Sequence, residues 1–230
     1  VGALAALGLL VKAFALAFLP AIALAYLLAR PRRDGLRPLG LAALVTVVGA
    51  GWWYIGVRLR TGTFTPSVED QRLTTALRSP GFSPHAGTFA RTFVGELTER
   101  TWGSFGWYTV RVPGWLTVAC TLLALVAIGL GLVTGVPRRG RRPLAVLLVP
   151  TLVLALLVVQ RAWTFYVRTS LFKFIQGRYL FAGLVGVVLV AAVGLVRVGG
   201  RWALPGLAGA VVLLQAEGLA MVPAGAFEDW

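Results

Sequence analysis

The stretch FIQGRYLFAGL, residues 174–184, places Gln176, Arg178 and Tyr179 at the head of a long apolar run. An arginine fork offers parallel N–H donors that match two phosphate oxygens, and glutamine or tyrosine beside it adds neutral polar contacts. Arg161, Arg168 and Lys173 precede this stretch, while Arg58 and Arg60 close an earlier apolar run. If these helix ends share one membrane face, the cations make a rim suited to an anionic group carried in that leaflet. Ordinary contact with lipid headgroups explains any one of them taken singly.

A second set is aromatic. ERTWGSFGWYTVRVPGW, residues 99–115, sets Trp102, Trp107 and Tyr108 among glycines that let the backbone bend. These are candidate wall residues for a sugar ring, and an interfacial aromatic belt is the plainer reading. VEDQR supplies adjacent carboxylates, Glu69 and Asp70. They are weak catalytic candidates: such a pair suits a divalent cation or a proton taken from an acceptor hydroxyl, and equally a solvated turn.

Lys12 and Glu217 stand inside apolar runs, where an ionisable group costs roughly 2.5–3.5 kcal/mol at mid-bilayer. Lys12 can snorkel to the interface, whereas the shorter Glu217 calls for a partner among the helices. Both join the candidate substrate-binding residues. His85 is the single histidine and Cys120 the single cysteine, so no metal cluster and no cofactor is expected, the divalent cation at Glu69 and Asp70 apart. The sequence holds no Walker-type loop, no GxSxG and no HExxH. Nucleotide hydrolysis, serine hydrolase chemistry and zinc proteolysis therefore lack support.

Membrane helices must position these residues. The chain is 58% hydrophobic and 13% charged, with a mean hydropathy of +0.82, against about a quarter charged residues in soluble domains. Its net charge of +14 is spread in short clusters between apolar runs. That is how topology is written into multi-spanning proteins, so membrane lipids are expected partners and nucleic acid is not. Runs at 11–29, 38–59, 113–136, 143–163 and 179–198 reach span length, and a sixth covers 202–223. Residues 1–9 read as the tail of another helix or the first turns of the opening span.

The basic loops 30–37, 137–142 and 197–201 are expected on the cytoplasmic side. Loops 60–112 and 164–178 and the C-terminus then face outward, and Trp52, Trp53, Tyr54, Trp107, Trp115, Trp163, Tyr166 and Tyr179 fall at the outer ends. Within the long loop, SPHAGTFARTFVGELTER predicts an amphipathic helix: Ser83 can cap, Pro84 suits the first turn, and Phe89, Phe93 and Leu97 recur every fourth residue. The expected fold class is all-α, a polytopic transmembrane helix bundle of about six spans with one long external loop carrying that helix. A single integral-membrane domain covers residues 1–230, and its start inside an apolar stretch reads as the C-terminal part of a longer chain.

WGSFGW ahead of one span, QGRYLF opening a later one, and the lysine before a proline-containing run in GLLVKAFALAFLPAIALAYLL carry a resemblance. The chain resembles the C-terminal half of a domain-of-unknown-function family of bacterial polytopic membrane proteins allied to the GT-C glycosyltransferases. The resemblance implies a plasma-membrane enzyme that takes a sugar from a polyprenyl-phosphate carrier at the outer face and passes it to a cell-envelope acceptor. It also implies that Arg178 and Tyr179 meet the lipid phosphate or donor, with Trp102, Gly103, Gly106 and Trp107 as the nearby loop. GT-C enzymes keep their catalytic acid in a first external loop near the N-terminus, and this chain shows no such loop. The alternative is a non-catalytic transporter, or a scaffold subunit working with envelope-assembly proteins, for a lipid-linked or anionic precursor.

Overall fold

The computed structural model describes residues 1–11, 13–29, 32–62, 64, 79–102, 104–105, 110–135 and 140–225, the last stretch by backbone alone from 217. Among them the fold is helical, with one minimal antiparallel ladder in which Ser104 pairs with Arg111 and Phe105 with Val110. Four helical stretches are long and apolar enough to cross a bilayer: Gly35–Thr61, Gly114–Thr134, Arg141–Thr169 and Val185–Trp202. All four leave large apolar side chains exposed, Leu44, Leu123, Val126, Leu152, Leu156 and Val188 among them. Such a surface needs lipid around it, because soluble chains do not leave contiguous apolar area of this extent in water. The protein is a helical membrane protein.

The chain divides into two compact units, Val1–His85 with Arg142–Lys173, and Ala86–Arg141 with Phe174–Trp230. The first unit opens with α1 (Gly2–Val11), a 3₁₀ segment (Ala13–Phe18) and α2 (Leu19–Ala29). Residues 2–11 form a helix of their own, one of the two readings open for residues 1–9, and the run 11–29 is 3₁₀ over Ala13–Phe18 before it becomes α-helical. α1 packs closely on a later helix. α3 (Arg32–Thr46) runs beside α1, and a Cβ on Gly2 would stand 2.6 Å from the Ala42 carbonyl oxygen. Ala6, Leu9 and Ala50 form a small core against which Ala15, Leu19 and Tyr54 pack. Small residues at such contacts let membrane helices approach, since lipid supplies no hydrophobic force between them.

Between α3 and α4 (Trp52–Thr61) lies a π-helical turn, Val47–Gly51. It turns Gly49 towards Ala6, and the Trp52 indole Nε1 donates to the Gly49 carbonyl at 3.0 Å. Two hydroxyls tie α1 to this segment. Thr46 Oγ1 faces the carbonyls of Ala42 at 2.7 Å and Gly2 at 3.2 Å, and Tyr54 donates to the Leu9 carbonyl at 2.9 Å. The last carbonyls of a helix lack partners within it. Tyr54→Phe should therefore cost about 1 kcal/mol, measured as a lower unfolding midpoint in detergent.

α5 (Ala86–Trp102), α6 (Gly114–Thr134), α8 (Val185–Gly199) and α9 (Ala203–Gly225) belong to the second unit, and α7 (Arg141–Thr169) to the first. α7 outlasts its predicted end at 163. Leu154, Val158, Ala162, Phe165, Tyr166 and Thr169 continue one buried stripe past the polar Gln160 and Arg161. The helix stops at Ser170, whose φ of 64° is the left-handed conformation that ends helices. Ser170 N–H donates to the Tyr166 carbonyl at 2.8 Å.

In the second unit α6 and α8 run antiparallel at close range. Gly131 lies against the Val190 carbonyl, and Gly194 against the backbone of Ala127 and Gly131. The predicted span 179–198 begins later than expected. Gly177–Tyr179 and Phe181–Gly183 are 3₁₀ turns, and the α-helix starts only at Val185.

Candidate anion-binding turn

The turn over residues 174–179 is built on the C-terminal end of α5. That helix starts at Ala86, two residues beyond the proline expected to open it, and buries Phe89 and Phe93 as their spacing predicted. Its last two turns carry Glu96, Arg100 and Thr101. Arg100 Nη1 lies 3.0 Å from Glu96 Oε2, four residues back, and donates to the Ile175 carbonyl at 2.8 Å. Thr101 Oγ1 donates to the Leu97 carbonyl at 2.6 Å, which turns its side chain into the surface that receives Gly177. A Cβ at Gly177 would overlap the Thr101 Oγ1, Cα and Cβ atoms. Only glycine fits there.

The backbone of the turn is set by three features. Phe174 takes a φ of 66°, unusual for a residue with a side chain. Ile175 is fully buried, and Gln176 is extended at φ −139° and ψ 121°. Tyr179 N–H then donates to the Gln176 carbonyl at 3.2 Å and Leu180 N–H to the Gly177 carbonyl at 2.8 Å. The result presents Arg178 outward. Its Nε donates to Gln176 Oε1 at 2.7 Å, and its guanidinium carbon lies 5.8 Å from the Tyr179 ring centroid. Among the described residues its two terminal nitrogens have no hydrogen-bond partner. One edge of the fork is fixed and the other is open to an acceptor.

Gln176, Arg178 and Tyr179 lie together in this turn. Trp102 ends α5 in the same unit, but its indole Nε1 donates to Thr121 Oγ1 at 2.7 Å, which fixes the ring against α6. Arg58, Arg60, Arg161, Arg168 and Lys173 are exposed and belong to the other unit. There Arg58 stands 5.6 Å from the Phe64 ring, Arg60 6.0 Å from Trp53, and Lys173 5.6 Å from Phe165. Cations over aromatic faces of this kind keep their stems in apolar surroundings and their charge at a boundary. Tyr166 in that unit is buried among Phe82, Trp163 and Phe172, and its hydroxyl meets the His85 N–H at 3.4 Å.

Lys12, Glu69, Asp70, Trp107 and Tyr108 lie outside the described residues, as do Gly103 and Gly106. Glu217 falls within α9, where the backbone alone is described. Among the described residues no three His, Cys, Asp or Glu side chains gather as a metal site. Sequence reasoning missed Glu96, Arg100, Thr101 and Gly177 as the parts that hold the turn. The spacing of Glu96 and Arg100, one helical turn apart, was the available signal. Gly177→Ala should lower stability by about 1–3 kcal/mol, because the added carbon meets backbone that cannot rotate away. Thermal unfolding in detergent checks it.

The fold and turn thus define a helical membrane protein with a pre-set arginine fork at the start of a span. No protein-family model, no curated protein and no solved structure matches this chain.

Proposed function

We propose that the chain is a GT-C-like membrane glycosyltransferase module, using a polyprenyl-phosphate-linked sugar at the outer face of a bacterial plasma membrane for cell-envelope glycan assembly. One observation carries this reading. Arg178 offers an open guanidinium edge at the head of a span, held on its other side by Gln176. A carrier with its tail in the leaflet presents its phosphate at that depth, and a fork with one edge fixed loses little freedom on binding it. The proposal includes six spans, the α1–α2 pair and α9 adding to the four long stretches. α9 has 23 residues, about 34 Å of helix, which suffices for a bilayer core. It also places loops 60–112 and 164–178 and the C-terminus on the outer side.

In the transfer, an acceptor hydroxyl forms a bond to the anomeric carbon as the bond from that carbon to the phosphate oxygen breaks. The electron pair leaves with the polyprenyl phosphate, and the hydroxyl proton goes to a carboxylate. Arg178 would stabilise the charge that grows on the leaving phosphate, the interaction that accelerates such a step most. Glu69 and Asp70 are the carboxylate candidates this chain offers.

The test is a transfer assay on the full-length protein in proteoliposomes, with a polyprenyl-phosphate-linked radiolabelled sugar and envelope glycan as acceptor. Label moving to the glycan is the expected result. Label that crosses the bilayer still bound to its carrier would overturn the enzyme reading in favour of a transporter.

A further inference from the structure

We infer that Arg100 is a positioning residue for the anion contact, acting through the 174–179 turn to hold the Arg178 fork in place. This rests on the phosphate reading of Arg178 and adds a second residue to it. Arg100 does not offer a fork of its own, because its guanidinium is engaged by Glu96 at 3.0 Å and by the Ile175 carbonyl at 2.8 Å. Glu96 sits one helical turn back and orients that guanidinium; the carbonyl it reaches belongs to the residue just before Gln176. Gln176 in turn holds Arg178 Nε at 2.7 Å. A continuous line of polar contacts thus runs from Glu96 through Arg100 and the backbone of Ile175 and Gln176 to Arg178.

Phe174 gives this line its purpose. Its φ of 66° is unfavourable for a side-chain-bearing residue and persists only where the surroundings over-determine it. The Arg100 bond to the next carbonyl and the seating of Gly177 on Thr101 are two contacts that hold it from α5. With Arg100 removed, the turn loses the bond at the Ile175 carbonyl and keeps the seating of Gly177 on Thr101. Gln176 and Arg178 then lose their fixed direction.

The experiment measures binding of dodecyl phosphate to the full chain in detergent, by tryptophan fluorescence, for Arg178→Gln, Arg100→Gln and the double variant. Arg100→Gln should weaken binding about tenfold, the worth of one charge-assisted hydrogen bond. In the Arg178→Gln background the same change should have no further effect, since contributions that act through one group are not additive. Arg100→Lys, which keeps the charge and a donor, should bind within about threefold of the natural protein. Amide exchange at Tyr179 and Leu180 should rise in Arg100→Gln while the spans stay protected. Additive losses would show Arg100 acting on the phosphate independently and would overturn the inference, as would natural affinity in Arg100→Gln. Natural affinity in Arg178→Gln would instead remove the phosphate reading itself, and the inference with it. If Arg100→Gln does not accumulate, Glu96→Leu, which removes the carboxylate that orients Arg100, runs the same cycle, with a loss of binding expected alone and no further loss in the Arg178→Gln background.

Discussion

Replacing Arg178 by Gln is expected to weaken binding of a polyprenyl phosphate by about 30- to 100-fold, with membrane level and unfolding midpoint unchanged. The size follows from what is removed. The open edge of the Arg178 guanidinium, left free while Nε is held by Gln176 Oε1 at 2.7 Å, can make two parallel bonds to phosphate oxygens. Hydrogen bonds to a charged group are worth about 1.5–3 kcal/mol each, and glutamine replaces part of one. The loss is then about 2–3 kcal/mol, and each 1.4 kcal/mol is tenfold in affinity. Arg178 is exposed, bonded to Gln176 and set over the Tyr179 ring, so stability should not follow affinity. Equilibrium binding and thermal unfolding of the same preparations separate the two. A fall in both together would mean that the side chain holds the fold.

Gly131→Val is expected to have the opposite signature, a loss of folded protein by about 3 kcal/mol or more. A Cβ at this position would run into the Val190 carbonyl carbon and oxygen, and Gly194 meets Gly131 from the facing helix. Both obstacles are backbone. A side chain can rotate away from an intruding methyl, but two helices held at glycine-to-carbonyl distance must separate along their length. Separation removes the packing on which helix association in lipid depends. Gly129, two residues earlier, has nothing within 4 Å of its position. Gly129→Val should therefore be nearly neutral, and comparing the two variants by unfolding in detergent isolates the contact from any change in helix propensity.

The helical membrane class followed from apolar run length, and the spans at 35–61 and 114–134 lie close to their predicted bounds, because composition alone decides which segments suit lipid. Where backbone met backbone, the sequence was silent. The run at 11–29 is uniformly apolar, yet it breaks into a 3₁₀ segment and α2, while residues 2–11 fold as a separate helix packed on α3. Hydropathy cannot distinguish a helix that continues from one that turns inside lipid. Phe181, Leu184 and Val185 likewise read as one run, yet the 3₁₀ turns delay the α-helix to Val185.

The site divides in the same manner. Gln176, Arg178 and Tyr179 stood out because polar residues are costly beside a span. Their supports did not. Glu96 and Arg100 lie some seventy-five residues away from Ile175 in sequence, and Gly177 shows its purpose only once Thr101 is seen beneath it. The bond from the Trp102 indole to Thr121, nineteen residues on, likewise has no signature in the sequence.

The central claim is that a lipid phosphate is held by Arg178, and an experimental structure of the full-length protein with bound polyprenyl phosphate tests it most directly. The phosphate is expected at about 2.7–2.9 Å from both terminal nitrogens of Arg178, with the Gln176 contact kept. A phosphate resolved elsewhere, with the Arg178 fork facing solvent, would contradict it.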